Sequence, residues 1–343
     1  MSQKAILIAN LGSPAAPTPE ALKPYLNEFL MDPFVIDTPY LLRAFLVKGI
    51  IIPRRSKASA ESYQKIWTPQ GSPLVTYTQD LAEGVQKLIP NVPVRWAMRY
   101  GQPSLESVLE QLKNEGFQKL LFVPLYPQYA LASTESTVQK VQELNSKKQW
   151  NFDFEHFHSF YKEEFYLDAS AKIYQNFLET RPPYDHYLFS YHGLPERHVK
   201  KLDPSGEHCL MKNNCCDVET PNNRFCYRHH CVVNTREIAQ RLGLKDSSWS
   251  LSFQSRLGRD PWLQPFTDFE IPKLAKSGVK RLAVFSPAFV ADCLETLEEI
   301  AMRGSESFVE AGGETLDLVP SLNADPIWID ALGGRLQEFF KEI

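Results

Sequence analysis

Short apolar runs alternate with longer amphipathic stretches along this chain. AILIANLG is followed by a helical spacing over Thr18 to Phe29, then by VRWAMRYG, SLESVLEQLKNEG and KLLFVPLYPQ. That alternation predicts βα units and a mostly parallel sheet. The cycle restarts after about residue 150 with NFDFEHFHSF, EFYLDASAKIYQNFLETRP, DHYLFSYHG, a helix near Val233 to Leu242, WSLSFQSR, DFEIPKLAKSG and RLAVFSPAF. LLFVPL and, after its leading arginine, RLAVF are continuous apolar runs, as strands covered on both faces are. The expected fold is α/β: two similar Rossmann-like lobes, each a mostly parallel sheet flanked by helices, with the active-site cleft between them. The lobes are expected at 1–150 and 151–320, and PIWIDALGGRLQEFFKEI in 321–343 has helical spacing able to pack back on the first lobe.

The segment 31–56 breaks the pattern. PYLLRAFLVKGIIIPRR is strongly apolar yet carries Arg43, Lys48, Arg54 and Arg55. It reads either as a buried helix followed by a strand or as an exposed apolar lip with basic flanks that rests on a membrane surface. No stretch approaches the roughly 18 to 20 apolar residues of a membrane span.

At 343 residues the chain suits two domains of ordinary size, and 43% apolar with 23% charged residues is the balance of a folded, cored protein. Lys and Arg total 37 against 41 for Asp and Glu, so the net charge of −4 offers no field for nucleic acid. The N-terminus enters an apolar strand pattern without the layout of a signal peptide, which predicts a cytoplasmic protein. Five of six cysteines fall in one short segment, an arrangement that in a reducing compartment favours metal ligation over disulfides.

Two strand-to-helix junctions carry candidate chemistry. In DHYLFSYHGLPERH, His192 lies just past an apolar strand and before a turn forced by Gly193 and Pro195. Ligands of open α/β sheets bind beyond the carboxyl ends of strands, and an imidazole suits proton transfer at neutral pH. A lone histidine is as a rule structural, so this one needs context. In FSPAFVADCLETLEEI, Asp292, Glu295 and Glu299 are spaced i, i+3, i+7, which stacks carboxylates along one face of a helix. Such a row is either a solvated acidic first turn or a ridge able to pass a hard divalent cation and accept protons.

SYHGLP and DCLETL, with LIANLGSP, MRYGQPS, FVPLYPQYALAST and SFQSRLGRDPWLQP in order, resemble the ferrochelatase family almost end to end. The resemblance implies a lyase that inserts Fe2+ into protoporphyrin IX to give protohaem, with His192 and Glu295 as the catalytic pair. It extends Glu295 into a metal-handling ridge with Asp292 and Glu299, and His192 joins that set. Arg99 and Tyr100 match a polar cleft wall, and Leu11, Trp262 and Phe289 match positions around the macrocycle. Lys65 and Ser72 match a region near the propionates. Cys293 departs from the family, standing where some members have a histidine. The resemblance favours the apolar lip, and with it a peripheral contact on the inner face of the cytoplasmic membrane. It leaves room for a homodimer.

The run HCLMKNNCCDVETPNNRFCYRHHC within 203–231 gives C-x5-C-C-x9-C-x4-C, a polar segment that cannot build its own core. Four thiolates satisfy zinc or a 2Fe-2S cluster. The insert is similar to one in some bacterial ferrochelatases, which implies 2Fe-2S, with zinc as the alternative. The expected ligands are Cys209, Cys216, Cys226 and Cys231, with Cys215 as substitute for Cys216. Competing functions are a related chelatase, acting on coproporphyrin with iron or on sirohydrochlorin with cobalt, and a non-catalytic haem-binding or redox-sensing protein.

Overall fold

The computed structural model describes residues 3–256, 258 and 260–342, so Leu257 and Arg259 of the SFQSRLGRDPWLQP run lie outside the described residues. Two compact units emerge. The first holds 1–126, 131–159 and 333–343, and the second holds 127–130 and 160–332.

The first unit is built on β1 (Lys4–Ser13), β2 (Val94–Gly101), β3 (Lys119–Pro124) and β4 (Asp153–His156), all parallel, in the order β2-β1-β3-β4. Residues Ala5 to Ala9 of the central β1 are wholly buried, because helices cover both faces. Each large aliphatic side chain so placed contributes roughly 1.5–3 kcal/mol. The second unit repeats the plan with β5 (His186–His192), β6 (Trp249–Gln254), β7 (Arg281–Phe285) and β8 (Thr315–Leu318), again parallel, in the order β6-β5-β7-β8.

NFDFEH therefore closes the first sheet and does not open the second. The short β8, with Asp317 near its centre, lacks the apolar run that marks the other strands. The helix at Pro19–Leu30 starts where Thr18 caps it, and the helix expected near Val233 to Leu242 begins earlier, at Tyr227–Arg241.

Each unit places a glycine where the chain leaves the central strand and crowds its neighbour. A Cβ on Gly12 would lie 1.8 Å from the Tyr100 carbonyl oxygen, and one on Gly193 would lie 2.8 Å from that of Gln254. Each unit also follows its third strand with a π-helical stretch, Leu131–Glu135 after β3 and Leu297–Gly304 after β7. Such widened turns recur at functional sites.

The 40–66 region is helical throughout: Tyr40–Ala44, a π-helical Phe45–Ile51 and Ile52–Ile66, with no strand. Tyr40, Leu41, Leu42 and Phe45 are exposed, Leu41 by 81%. Val47 is not part of that face; it is fully buried against Leu30 and Ile52. Arg43 is buried too, its guanidinium spent on the carbonyls of Ile36 and Thr38 at 2.9 Å each. Lys48, Arg54 and Arg55 stay exposed. No helix among the described residues is long and apolar enough to cross a membrane.

Candidate functional site

The order β6-β5-β7-β8 reverses direction at β5, so the loops leaving β5 and β7 diverge and open a crevice at their carboxyl ends. His192 closes β5, and its Nδ1 lies 2.6 Å from the Gly193 carbonyl oxygen. A carbonyl can only accept, so Nδ1 carries a proton, and Nε2 is the ring nitrogen left for proton transfer. The ring lies 6.2 Å from that of Phe289, which sits in the loop after β7. Trp262 stands against Gly193, where a Cβ would meet its ring at 3.3 Å, and Pro195 bridges to it in antiparallel fashion. Glycine at 193 thus lets the His192 turn press onto the β6 end.

The β7 loop leads into the acids. Cys293 caps the turn Leu294–Thr296, and the π-helical Leu297–Gly304 follows. Glu295 and Glu299 approach closely enough to interact electrostatically, and Glu299 also feels His192. Burial first, then the Glu295 charge, raises the Glu299 carboxyl above its ordinary pKa; the Ser255 hydroxyl, which donates to it, and His192 and Arg303 pull the other way. Two close carboxylates with one tendency to stay protonated can exchange a proton or share a cation.

Asp292 does not extend this ridge. Its carboxylate is buried and accepts from Thr296 Oγ1 at 2.9 Å, Asn323 Nδ2 at 2.8 Å and the Ser321 amide at 3.3 Å. The i, i+3, i+7 expectation assumes a regular α-helix from residue 292, whereas the helix begins only at Leu294 and then widens. Cys293 is buried, and burial together with Glu295 pushes its thiol well above the ordinary range, so it holds its proton.

Gln254 and Ser255 carry no sequence signal of their own, yet they frame the pair. Ser255 adopts a left-handed backbone (φ 66°) at the end of β6. The Gln254 side chain donates to the Glu295 carbonyl and accepts from Ser190 Oγ, each at 2.6 Å.

The remaining residues predicted for the substrate site belong to the first unit. Arg99 and Tyr100 meet in a buried knot: Arg99 pairs with Asp32 and reaches Ser136 Oγ at 2.9 Å, and the Tyr100 hydroxyl donates to Asp32 at 2.8 Å. Tyr100 is fully buried, and burial raises its pKa well above normal, so it is a wall from within and presents no free hydroxyl. Leu11 is partly buried on β1, Lys65 is exposed in the last turn of its helix, and Ser72 is buried before the helix Pro73–Leu88.

In the insert all five cysteines are buried. Cys216 contacts Cys226, Cys226 contacts Cys209, and the Sγ atoms of Cys215 and Cys216 are 3.8 Å apart. Arg228 reaches Cys216 Sγ at 3.1 Å. Cys231 interacts with Tyr227 and feels the charges of Cys226 and Cys216. Among the described residues no three or more ligating side chains surround one metal position. Buried thiols are the donor type that both a tetrahedral zinc and a binuclear iron–sulfur centre take.

Fold and site together define an α/β enzyme of chelatase architecture. SirB from Bacillus subtilis with Fe3+ superposes with a TM-score of 0.53 over 98% of this chain and 95% of that one, at 12% identity, a likeness of fold alone. The family profile described as Ferrochelatase matches residues 3–339. A ferrochelatase of Pseudomonas putida is 47% identical over 98% of this chain and all of its own length, and one of Pseudomonas savastanoi pv. phaseolicola is 46% identical over 97% of each. The chain belongs to the ferrochelatase family, whose members are lyases.

Proposed function

We propose that the chain inserts ferrous iron into protoporphyrin IX, with release of two protons, as the terminal step of haem formation. The observation that carries this reading is the gathering of His192, Phe289, Glu295 and Glu299 at one sheet switch point. A free-base porphyrin must bend and lose two inner protons before metal can enter. Trp262 and Phe289 supply shape against the macrocycle, so that binding energy supports the distortion. His192 Nε2 accepts a pyrrole proton, while Glu295 and Glu299 replace water around iron or carry protons away. Lys65 and Ser72 are assigned to the propionates and Arg99 to the polar wall.

Cys209, Cys216, Cys226 and Cys231, with Cys215 as the substitute for Cys216, would hold a 2Fe-2S cluster. Such a cluster supplies a one-electron couple and ties the insert together. The exposed face of Tyr40, Leu41, Leu42 and Phe45, with Lys48, Arg54 and Arg55 nearby, supports peripheral membrane contact from the cytoplasm and delivery of an apolar porphyrin. It disfavours the more acidic coproporphyrin and sirohydrochlorin. His192→Ala and Glu295→Gln test the reading. Each is expected to lower single-turnover iron insertion by about 10² to 10⁴, with porphyrin binding and melting temperature near the parent's. A His192→Ala protein that inserts iron at the parental rate would remove the central residue of this mechanism.

A further inference from the structure

The carboxylate of Asp292 is closed off, and its partners come from two directions. From its own turn, Thr296 Oγ1 donates to it at 2.9 Å while accepting from the Cys293 amide at 3.0 Å. From the segment beyond β8, Asn323 Nδ2 donates to it at 2.8 Å, and Asn323 Oδ1 accepts from the Asp292 amide, also at 2.8 Å. Asn323 holds a left-handed backbone (φ 48°), a conformation asparagine tolerates better than most residues, and its own amide donates to the Val290 carbonyl at 2.7 Å. Both the main chain and the side chain of Asp292 are thus gripped by one residue 31 positions later.

We infer that Asp292, Thr296 and Asn323 are a positioning clamp that fixes the turn presenting Glu295, and that Asp292 itself does not receive iron. The clamp's role in catalysis rests on the proposed iron insertion. Immediately after the turn, the π-helical Leu297–Gly304 lacks the tight i to i−4 ladder that would otherwise hold the first acid in place. The aim of Glu295 is then set by its N-terminal anchor and by Gln254 on its carbonyl oxygen. A carboxylate with three donors is also a poor iron ligand, since binding would first have to break those bonds.

Thr296→Val removes the hydroxyl from a fully buried site while keeping the shape, Thr296→Ser keeps the hydroxyl, and Asn323→Gly keeps the left-handed backbone while removing the amide. The clamp predicts that Thr296→Val and Asn323→Gly lower kcat for iron insertion by about 10- to 100-fold with little change in KM for the porphyrin. It also predicts faster hydrogen exchange at the amides of Leu294 to Leu297. Thr296→Ser should restore both to within about twofold of the parent. Parental kcat in the two disruptive variants, or no recovery in Thr296→Ser, overturns the clamp. Should the parent insert no iron into any porphyrin, the functional reading falls. The exchange rates still decide the clamp: faster exchange supports it and unchanged exchange removes it.

Discussion

Gln254 and Glu295 are joined by a hydrogen bond of 2.6 Å from the glutamine side chain to the glutamate main-chain oxygen. The main-chain oxygen of the same Gln254 accepts from the Gly193 amide at 2.7 Å. One residue at the end of β6 therefore ties the histidine turn to the acidic turn. Gln254→Met keeps length and removes both polar ends, so that the Glu295 carbonyl loses a donor and the Ser190 hydroxyl loses an acceptor. The expected cost is about 1–3 kcal/mol of stability, with a loss in kcat larger than the folded fraction explains. Denaturant melts and turnover on the same preparation check this; a kcat that tracks folding would make Gln254 a purely structural tie.

Much of the scaffold is readable without coordinates because its strands are covered on both faces. LLFVP and, after its leading arginine, RLAVF are continuous apolar runs, and they lie in β3 and β7. NFDFEH misleads since alternation alone does not say which sheet a strand joins. TLDL escapes notice as four residues carrying a charge. The motifs SYHGLP and DCLETL mark the end of β5, where His192 lies, and the short helix after β7, where Glu295 lies. The surroundings of Asp292 are hidden for a definite reason: periodicity assumes an unbroken α-helix, and nothing local reveals that Asn323 donates to its carboxylate. The Tyr100 hydroxyl is likewise committed by Asp32, far away in sequence.

The apolar face of the 40–66 region divides into two kinds of position, and they should respond differently to charge. Phe45 is 65% exposed and Leu42 is exposed beside it, so Leu42→Asp and Phe45→Asp should leave melting unchanged. Both should reduce sedimentation with vesicles containing anionic lipid and raise the apparent KM for lipid-borne porphyrin. Val47→Asp buries a charge in a packed cluster and is expected to cost about 3 kcal/mol or more. Vesicle binding that survives both exposed substitutions would assign the face to some other contact.

Stability should fall on mild acidification, and His186 is one source. It opens β5 with Nε2 2.8 Å from Ser250 Oγ, and burial holds its pKa below the ordinary imidazole value. The folded state therefore resists the proton that the unfolded chain accepts near pH 6.5. Above that pH the residue contributes no slope; below it, protons favour the unfolded chain and stability declines. His186→Gln should flatten part of the fall in melting temperature between about pH 7 and 5. A variant as pH-sensitive as the parent would place the effect on other histidines, the partly buried His156 and the buried His229 among them, whose pKa values burial also lowers.

The insert offers the sharpest test of composition against geometry. Five buried thiols stand where four suffice, and their contacts run from Cys209 through Cys226 to Cys216 and on to Cys215, with Cys231 also feeling Cys226 and Cys216. As thiols they raise one another: contact with Cys209 pushes the pKa of Cys226 up to about 12. Buried neutral thiols behave as small apolar groups, whereas a metal centre binds them as thiolates, so metal binding would release their protons and add to the stability of the insert. Protein purified without oxygen should be red-brown, with visible absorption from a 2Fe-2S cluster. Cys226→Ser and Cys231→Ser should each abolish that absorption and lower the melting temperature. Cys215→Ser should keep the colour if Cys216 is the ligand of the vicinal pair, and Cys216→Ser should keep part of it through substitution by Cys215. Iron and sulfide analysis alongside the spectra separates loss of the cluster from loss of the fold. Colourless parent protein carrying stoichiometric zinc would mean that the same thiols serve a single tetrahedral ion.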